Sequence, residues 1–181
     1  FSKENYPAAK SDVFAMFFER VLSLAKEDGR IGIVAPFVWM FLSSYQALRE
    51  KIIGENTVST LIQLEYNAFE PACIPVATFT LMRRPISSFR GTYIKLSDFK
   101  GHQNQAPKTL EAIANRDIGW LHEVAIDDLR SIPGSPLAFW IRPSVLSLFR
   151  KCRPLGDVVK AMVGLQTSNN DRFLRLWHEV S

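Results

Sequence analysis

The chain has 181 residues, of which 47% are hydrophobic, 12% aromatic and 22% charged. That is a globular composition, enough for one ordinary domain and too apolar for a disordered segment. Its 22 Lys and Arg against 18 Asp and Glu leave a formal charge of +4, which permits an acidic partner such as nucleic acid without requiring one. Cys73 and Cys152 are the only cysteines and make neither a disulfide framework nor a thiolate metal site. No apolar run approaches the roughly 18 residues of a membrane helix, and the amino end lacks a signal-peptide layout. The expectation is a cytoplasmic protein with no membrane partner. The chain opens on Phe1 and stops at Val180-Ser181 without a closing element, so it reads as a piece of a longer protein.

In chain order, Phe14, Phe17, Phe18, Val21, Leu22 and Ala25 recur at helical spacing between Ser11 and Glu27. An amphipathic helix is expected there, capped by Ser11 or Asp12 and ended by Gly29 in the left-handed conformation. Ile31 to Ala35 is a short apolar run bounded by Arg30 and Pro36, the pattern of a strand buried on both faces as in a parallel sheet. A second helical pattern covers Phe37 to Ile53 and stops at Gly54; a strand follows from Val58 to Tyr66, and a β-α-β crossover is the economical reading. After the loop AFEPACIP, Val76 to Arg83 reads as a third strand, connected too briefly to cross over and therefore antiparallel to its predecessor. Gly91 to Ser97 is a weaker strand, a helix is expected near Thr109 to Arg116, an acidic turn at Asp127-Asp128, and a helix from Pro143 to Lys151. Beyond Pro154 the texture changes to strand-like segments, Asp157 to Val163 and Arg172 to Val180, around the polar loop Gln166 to Asp171. A second domain begins there.

Few residues carry chemistry on their own. His102, His122 and His178 have no metal-ligand spacing, so no metal and no catalytic residue is assigned, and no glycine-rich phosphate loop is present. Arg83-Arg84, Arg150, Lys151, Arg153, Arg172 and Arg175 can neutralise phosphates. Phe69, in the loop between two strands, offers a flat apolar face on which a flipped nucleobase can stack, or else it plugs the end of the sheet.

The order of segments resembles a known family. SDVFAMFFERVLSLAKEDGRIGIVAP, FVWMFLSSYQALREKII and TVSTLIQLEYNAFEPACIPVATFTLMRR are similar to the second half of the catalytic domain in adenine-specific (N6) DNA methyltransferases, a match over Ser11 to Arg84 carried by Asp12, Phe14, Phe18, Glu19, Arg20, Gly29, Arg30 and Pro36. WMFLSSYQALREKI, LIQLEYNAFEPACIPVATFTL and GLQTSNNDRFLRLWHEV resemble the large methyltransferase family of bacterial BREX phage-defence systems, the PglX type. The last segment is similar to the opening of that family's target-recognition region, with Ser168 where glycine is expected.

The resemblance implies an α/β fold: the last three strands of a Rossmann-like methyltransferase sheet, one antiparallel, with their helices, then an α+β connector and a second domain. The implied division is 1–84 as the carboxyl half of the catalytic domain, 85–153 as connector, and 154–181 as the start of target recognition. The implied activity is methyl transfer from S-adenosylmethionine to N6 of adenine in double-stranded DNA, with other defence-system proteins as possible partners. The two motifs that hold the donor and activate the amine are absent, so the piece alone is expected to be inactive and to self-associate through its exposed sheet edge. Of the family's functional residues only the stacking aromatic transfers, to Phe69, with Arg172 and Arg175 as DNA contacts. The alternatives are a non-catalytic DNA-binding or assembly module and part of a fused type II restriction-modification enzyme.

Overall fold

The structure, a computed structural model, describes residues 1–69, 74–160, 162, 172 and 174–179. It divides into two compact units, Phe1–Arg150 and Lys151–Ser181. In the first, helices α1 (Ser2–Asn5) and α2 (Val13–Leu24) lead into strand β1 (Arg30–Pro36). Two 3₁₀ turns and α3 (Gln46–Glu55) then lead to β2 (Thr57–Gln63), and β3 (Val76–Met82), β4 (Arg90–Lys95), α4 (His102–Ala114), β5 (Leu121–Ala125), α5 (Ile126–Leu129) and α6 (Pro143–Lys151) follow. The five strands form one mixed sheet in the order β1-β3-β2-β4-β5.

α2 forms where the apolar stripe is, and it buries Ala15, Phe18 and Leu22. Asp12 is its N-cap residue, yet no side-chain bond caps the helix. The left-handed residue after it is Asp28 (φ 62°), not Gly29. Gly29 is needed for another reason: a Cβ there would lie 2.7 Å from the Lys26 carbonyl, which accepts the Gly29 N–H at 2.9 Å.

The expected single helix over Phe37 to Ile53 is three elements: 3₁₀ turns Phe37–Met40 and Ser43–Tyr45, then α3. The reason is Arg49, 1% exposed. Its guanidinium donates to the carbonyls of Trp39 (2.8 Å) and Leu42 (2.6 Å), and on its other side to Gly134 (2.8 and 3.2 Å). The charged group takes up the carbonyls that a continuous helix would have used, so the chain turns tightly around it.

β3 runs antiparallel to β2, as its short connection requires, but it also lies between β1 and β2 and pairs antiparallel with both. The crossover through α3 therefore skips one strand position. β1 is not buried on both faces: among the described residues it pairs with β3 alone, and Gly32 and Val34 on one face are exposed while Ile31 and Ala35 on the other are buried. The buried face, with Phe79, Leu81, Leu61 and Tyr93, packs on Phe18, Trp39, Leu48 and Ile52. Phe18 sits edge-on to Trp39 and Phe79, each at 5.4 Å between ring centres.

β4 joins the sheet parallel to β2, and β5 pairs antiparallel outside it. α4 starts seven residues before the expected position, at His102, and covers the opposite face over this half with Ala112 against Ile94, Leu96 and Leu121. On the same face Arg30, Gly32 and Val34 of β1 and Thr80 of β3 are exposed, whereas Val76, Thr78 and Met82 of β3 are half-buried. The acidic turn is the short helix α5, and α6 spans the expected residues.

In the second unit, Leu155–Asp157 and Trp177–Glu179 are 3₁₀ turns. The expected strands at 157–163 and 172–180 are not found among their described residues, which have no strand to pair with there. Val163, Val180 and the loop Gln166 to Asp171 lie outside the described residues, as does Cys73.

Candidate functional site

β1, β2 and β4 are mutually parallel, because β1 and β2 both oppose β3 and β4 follows β2. Their carboxyl ends, at Pro36, Gln63 and Lys95, open on one edge, where open α/β sheets bind their ligands. The three loops leaving that edge are tied together. Phe37 N–H donates to the Pro75 carbonyl at 2.9 Å, and Leu64 N–H to that of Val76 at 3.1 Å.

Glu65 makes the third tie. It is 7% exposed, and its Oε2 accepts the N–H groups of Asn67 (2.9 Å) and Gly101 (3.1 Å). The Glu65 N–H donates to Gln105 Oε1 at 3.1 Å, and Gln105 Nε2 donates to the carbonyls of Phe99 (2.7 Å) and Gly101 (3.0 Å). One carboxylate, through charge-assisted bonds, and one amide, through neutral ones, thus fasten the loop after β2 to the start of α4.

From this anchored root the loop projects apolar groups outward. Phe69 is 51% exposed, and Tyr66 and Ile74 in the same loop are exposed by 52% and 50%. Half of the Phe69 side chain thus faces solvent, where a planar ring can lie against it. Residues 70–73 of the loop lie outside the described residues.

Arg172 and Arg175 are exposed and belong to the second unit. Arg175 Nη1 donates to the carbonyls of Arg172 (3.1 Å) and Leu174 (2.9 Å). The candidate residues are therefore divided between the two units. Of the histidines, His102 is exposed at the start of α4, while His122 on β5 is half-buried with its ring 5.7 Å from that of Phe139. Burial, and then the nearby Lys95 charge, hold His122 below its ordinary pKa. Among the described residues no group of three His, Cys, Asp or Glu side chains is placed to hold a metal ion, and no helix is long and apolar enough to cross a membrane.

Sequence reasoning missed Glu65, Gln105 and Tyr66. The signal available was a carboxylate set directly after the strand end Leu61-Ile62-Gln63-Leu64, a position where burial demands compensating donors. Gln105, among polar neighbours, offered none.

Comparison with known proteins sharpens this picture. A family model described as Eco57I restriction-modification methylase matches residues 1–69. The adenine-specific methyltransferase PglX of Lacticaseibacillus casei (strain Zhang) is 34% identical over 179 residues, covering 97% of this chain and 15% of that protein. The adenine-specific methyltransferase BrxX of Escherichia coli O9:H4 (strain HS) is 33% identical over 185 residues, 100% of this chain and again 15% of the relative. The chain thus spans about 15% of the length of these relatives. Among solved structures, the methyltransferase subunit of a type I restriction-modification system from Streptococcus thermophilus superposes with a TM-score of 0.58 at 19% identity, covering 76% of this chain and 33% of that one. A modification subunit of a putative type I restriction enzyme from Vibrio vulnificus YJ016 gives 0.54 at 13% identity, over 67% of this chain and 29% of that chain. At those identities the structural likeness concerns the fold. In sequence, the chain is a homologue, over essentially its whole length, of a segment of the adenine-specific methyltransferases PglX and BrxX.

Proposed function

We propose that this chain is the part of an adenine-specific DNA methyltransferase that carries the carboxyl half of the catalytic sheet, and that the whole enzyme transfers a methyl group from S-adenosylmethionine to N6 of adenine in double-stranded DNA, as part of a BREX-like phage defence. The observation that carries the reading is the 34% identity to PglX across 97% of the chain. The half-exposed Phe69 at the carboxyl edge of the sheet gives it a chemical rationale, since a base swung out of the duplex needs a flat partner there. In this reading residues 1–84 belong to the catalytic domain, 85–153 form a connector whose β4 and β5 continue the sheet, and 154–181 begin target recognition. Arg172 and Arg175 contact the DNA backbone.

The residues of this chain do not by themselves fit the methyl donor. A donor cradle needs a glycine at the carboxyl end of a strand, where the backbone must approach the ligand closely. The β1 and β2 loops begin Phe37-Val38 and Leu64-Glu65 instead, and the one glycine in the loop after β4, Gly101 (φ +88°), is crowded by the side chain of Gln103. We assign the donor site to the remainder of the longer protein.

The test is made in the complete methyltransferase, reading transfer of labelled methyl groups to duplex DNA. Phe69→Ala is expected to lower turnover about ten- to a hundredfold, as loss of one base-aromatic contact implies, while Phe69→Trp retains most of it. Unchanged transfer in Phe69→Ala removes the stacking role, and absence of any adenine methylation by the complete protein overturns the reading in favour of a binding module.

A further inference from the structure

A cavity of about 450 Å³ lies between the outer edge of β5 and the start of α6. Its walls include Arg90, Arg142, Arg150, His122, Phe139 and Trp140. Phe69 is not among them, so this is a second place, built entirely within the first unit.

The electrostatics favour an anion. Two acids, Glu123 and Asp128, also line the cavity, but both are already paired: Glu123 with Arg116, and Asp128 with Arg150 at 2.7 Å. Arg90 is held in place by donating to the Glu123 carbonyl. Arg142 is exposed, and its guanidinium has no hydrogen-bond or ion-pair partner among the described residues. Arg90 and Arg142 are therefore positive charge in excess of the local carboxylates.

The other walls favour a planar ring. Phe139 is fixed by stacking on Tyr93, with ring centres 5.1 Å apart, and holds Trp140 edge-on and His122 tilted beside it. Trp140 and His122 are half-buried and both line the cavity, and Lys95 Nζ lies 5.4 Å from the centre of the Trp140 ring, a further positive charge beside it.

The β5 edge adds a reading group. Lys95 N–H donates to the Trp120 carbonyl at 2.9 Å, next to the paired positions Ile94 and Leu121. In an antiparallel ladder hydrogen-bonded and non-bonded pairs alternate. Tyr93 and His122 are then a bonded pair, and Glu123, opposite Thr92, turns its N–H and carbonyl away from β4. The Arg90 bond to the Glu123 carbonyl fits that direction.

We propose that this cavity binds a phosphorylated nucleoside, its ring against Trp140 and His122, a base edge at the Glu123 backbone, and its phosphate at Arg142 and Arg90. The volume lies in the range of small-molecule sites and accommodates one nucleotide. The same chemistry is offered by a free mononucleotide and by a single nucleotide of a DNA strand. The assignment is independent of the methyltransferase reading.

The experiment follows the Trp140 indole and Glu123 amide signals of the isotope-labelled 181-residue chain by NMR, with Trp140→Phe identifying the indole. The probes are 2′-deoxyadenosine 5′-monophosphate, deoxyadenosine, inorganic phosphate and a short oligothymidylate. The mononucleotide is expected to shift both signals saturably and to bind more tightly than the nucleoside or phosphate alone. Arg142→Gln should weaken it about tenfold, the loss of one charge-assisted phosphate contact, and Arg20→Gln on the exposed side of α2 should not. Tighter binding of the oligothymidylate assigns a DNA strand as the source and weaker binding a free nucleotide; both retain the proposal. It is overturned if the mononucleotide moves neither signal at millimolar concentration, if phosphate alone reproduces its effect, or if Arg142→Gln binds it undiminished.

Discussion

Glu65 is the residue on which the geometry of the candidate site turns. A carboxylate 7% exposed is tolerable only because backbone donors surround it, and its two N–H partners lie on different loops, at Asn67 and Gly101. Glu65→Gln keeps the shape but replaces one acceptor oxygen with an NH₂ group and removes the charge. The expected loss is about 1–3 kcal/mol of stability in denaturant titration, with faster hydrogen exchange at the Asn67 and Gly101 amides and little change in the amides of β1. Unaltered exchange at both sites would show that the loop holds itself. Phe69, by contrast, contributes to no core cluster among the described residues, so its truncation should leave stability within about 0.5 kcal/mol of the parent chain. The two residues separate cleanly: one sets where the loop stands, the other what it presents.

At the scale of elements, α3 and the two 3₁₀ turns before it are organised by Arg49. Its guanidinium satisfies carbonyls on Trp39, Leu42 and Gly134, and so joins the segment after β1 to the turn before α6. Burial pulls its pKa down from the ordinary arginine value, while neighbouring Glu50 acts in the opposite sense. Arg49→Met fills similar space but leaves the buried Trp39 carbonyl and the half-buried Gly134 carbonyl without their donors, while that of Leu42 keeps the Tyr45 N–H; the expected loss is about 2–3 kcal/mol, measurable as a shifted denaturation midpoint. Arg49→Lys should recover only part of that, because one ammonium cannot span carbonyls on two sides as a planar fork does. A midpoint unmoved in Arg49→Met would mean that water replaces the guanidinium without penalty.

For the whole molecule, the consequential feature is the flank of the sheet formed by β1. Its outer side has no strand partner among the described residues. Beside that edge Gly32 and Val34 of β1 are exposed, Val34 by 63%, and so is Thr80 of β3, whose hydroxyl bonds that of Thr60 at 2.7 Å. A seven-residue edge strand with an exposed Val34 beside it is a template for pairing with another chain. Sedimentation of the chain at high concentration is expected to show dimers or larger species, and Val34→Lys, which sets a charge beside that edge, is expected to return it to monomer. A wild-type chain that stays monomeric throughout the concentration range would contradict this.

Local patterning was legible before any coordinates: the stripe of Phe14, Phe18 and Leu22, the strands at Ile31 to Ala35 and Val76 to Arg83, the antiparallel sense of β3, and the kinship carried by motifs from Ser11 to Arg84. These depend on spacing within a few residues or on the length of one connection, which a linear chain records directly. The insertion of β3 between β1 and β2, the division of the Phe37 to Ile53 segment, the burial of Glu65 and the cavity beside β5 were decided by the fold. Each depends on a partner distant in sequence: β3 for β1, Gly134 for Arg49, Gly101 for Glu65, α6 for β5. Periodicity records which face of an element is apolar; it holds no record of which element will come to lie against it.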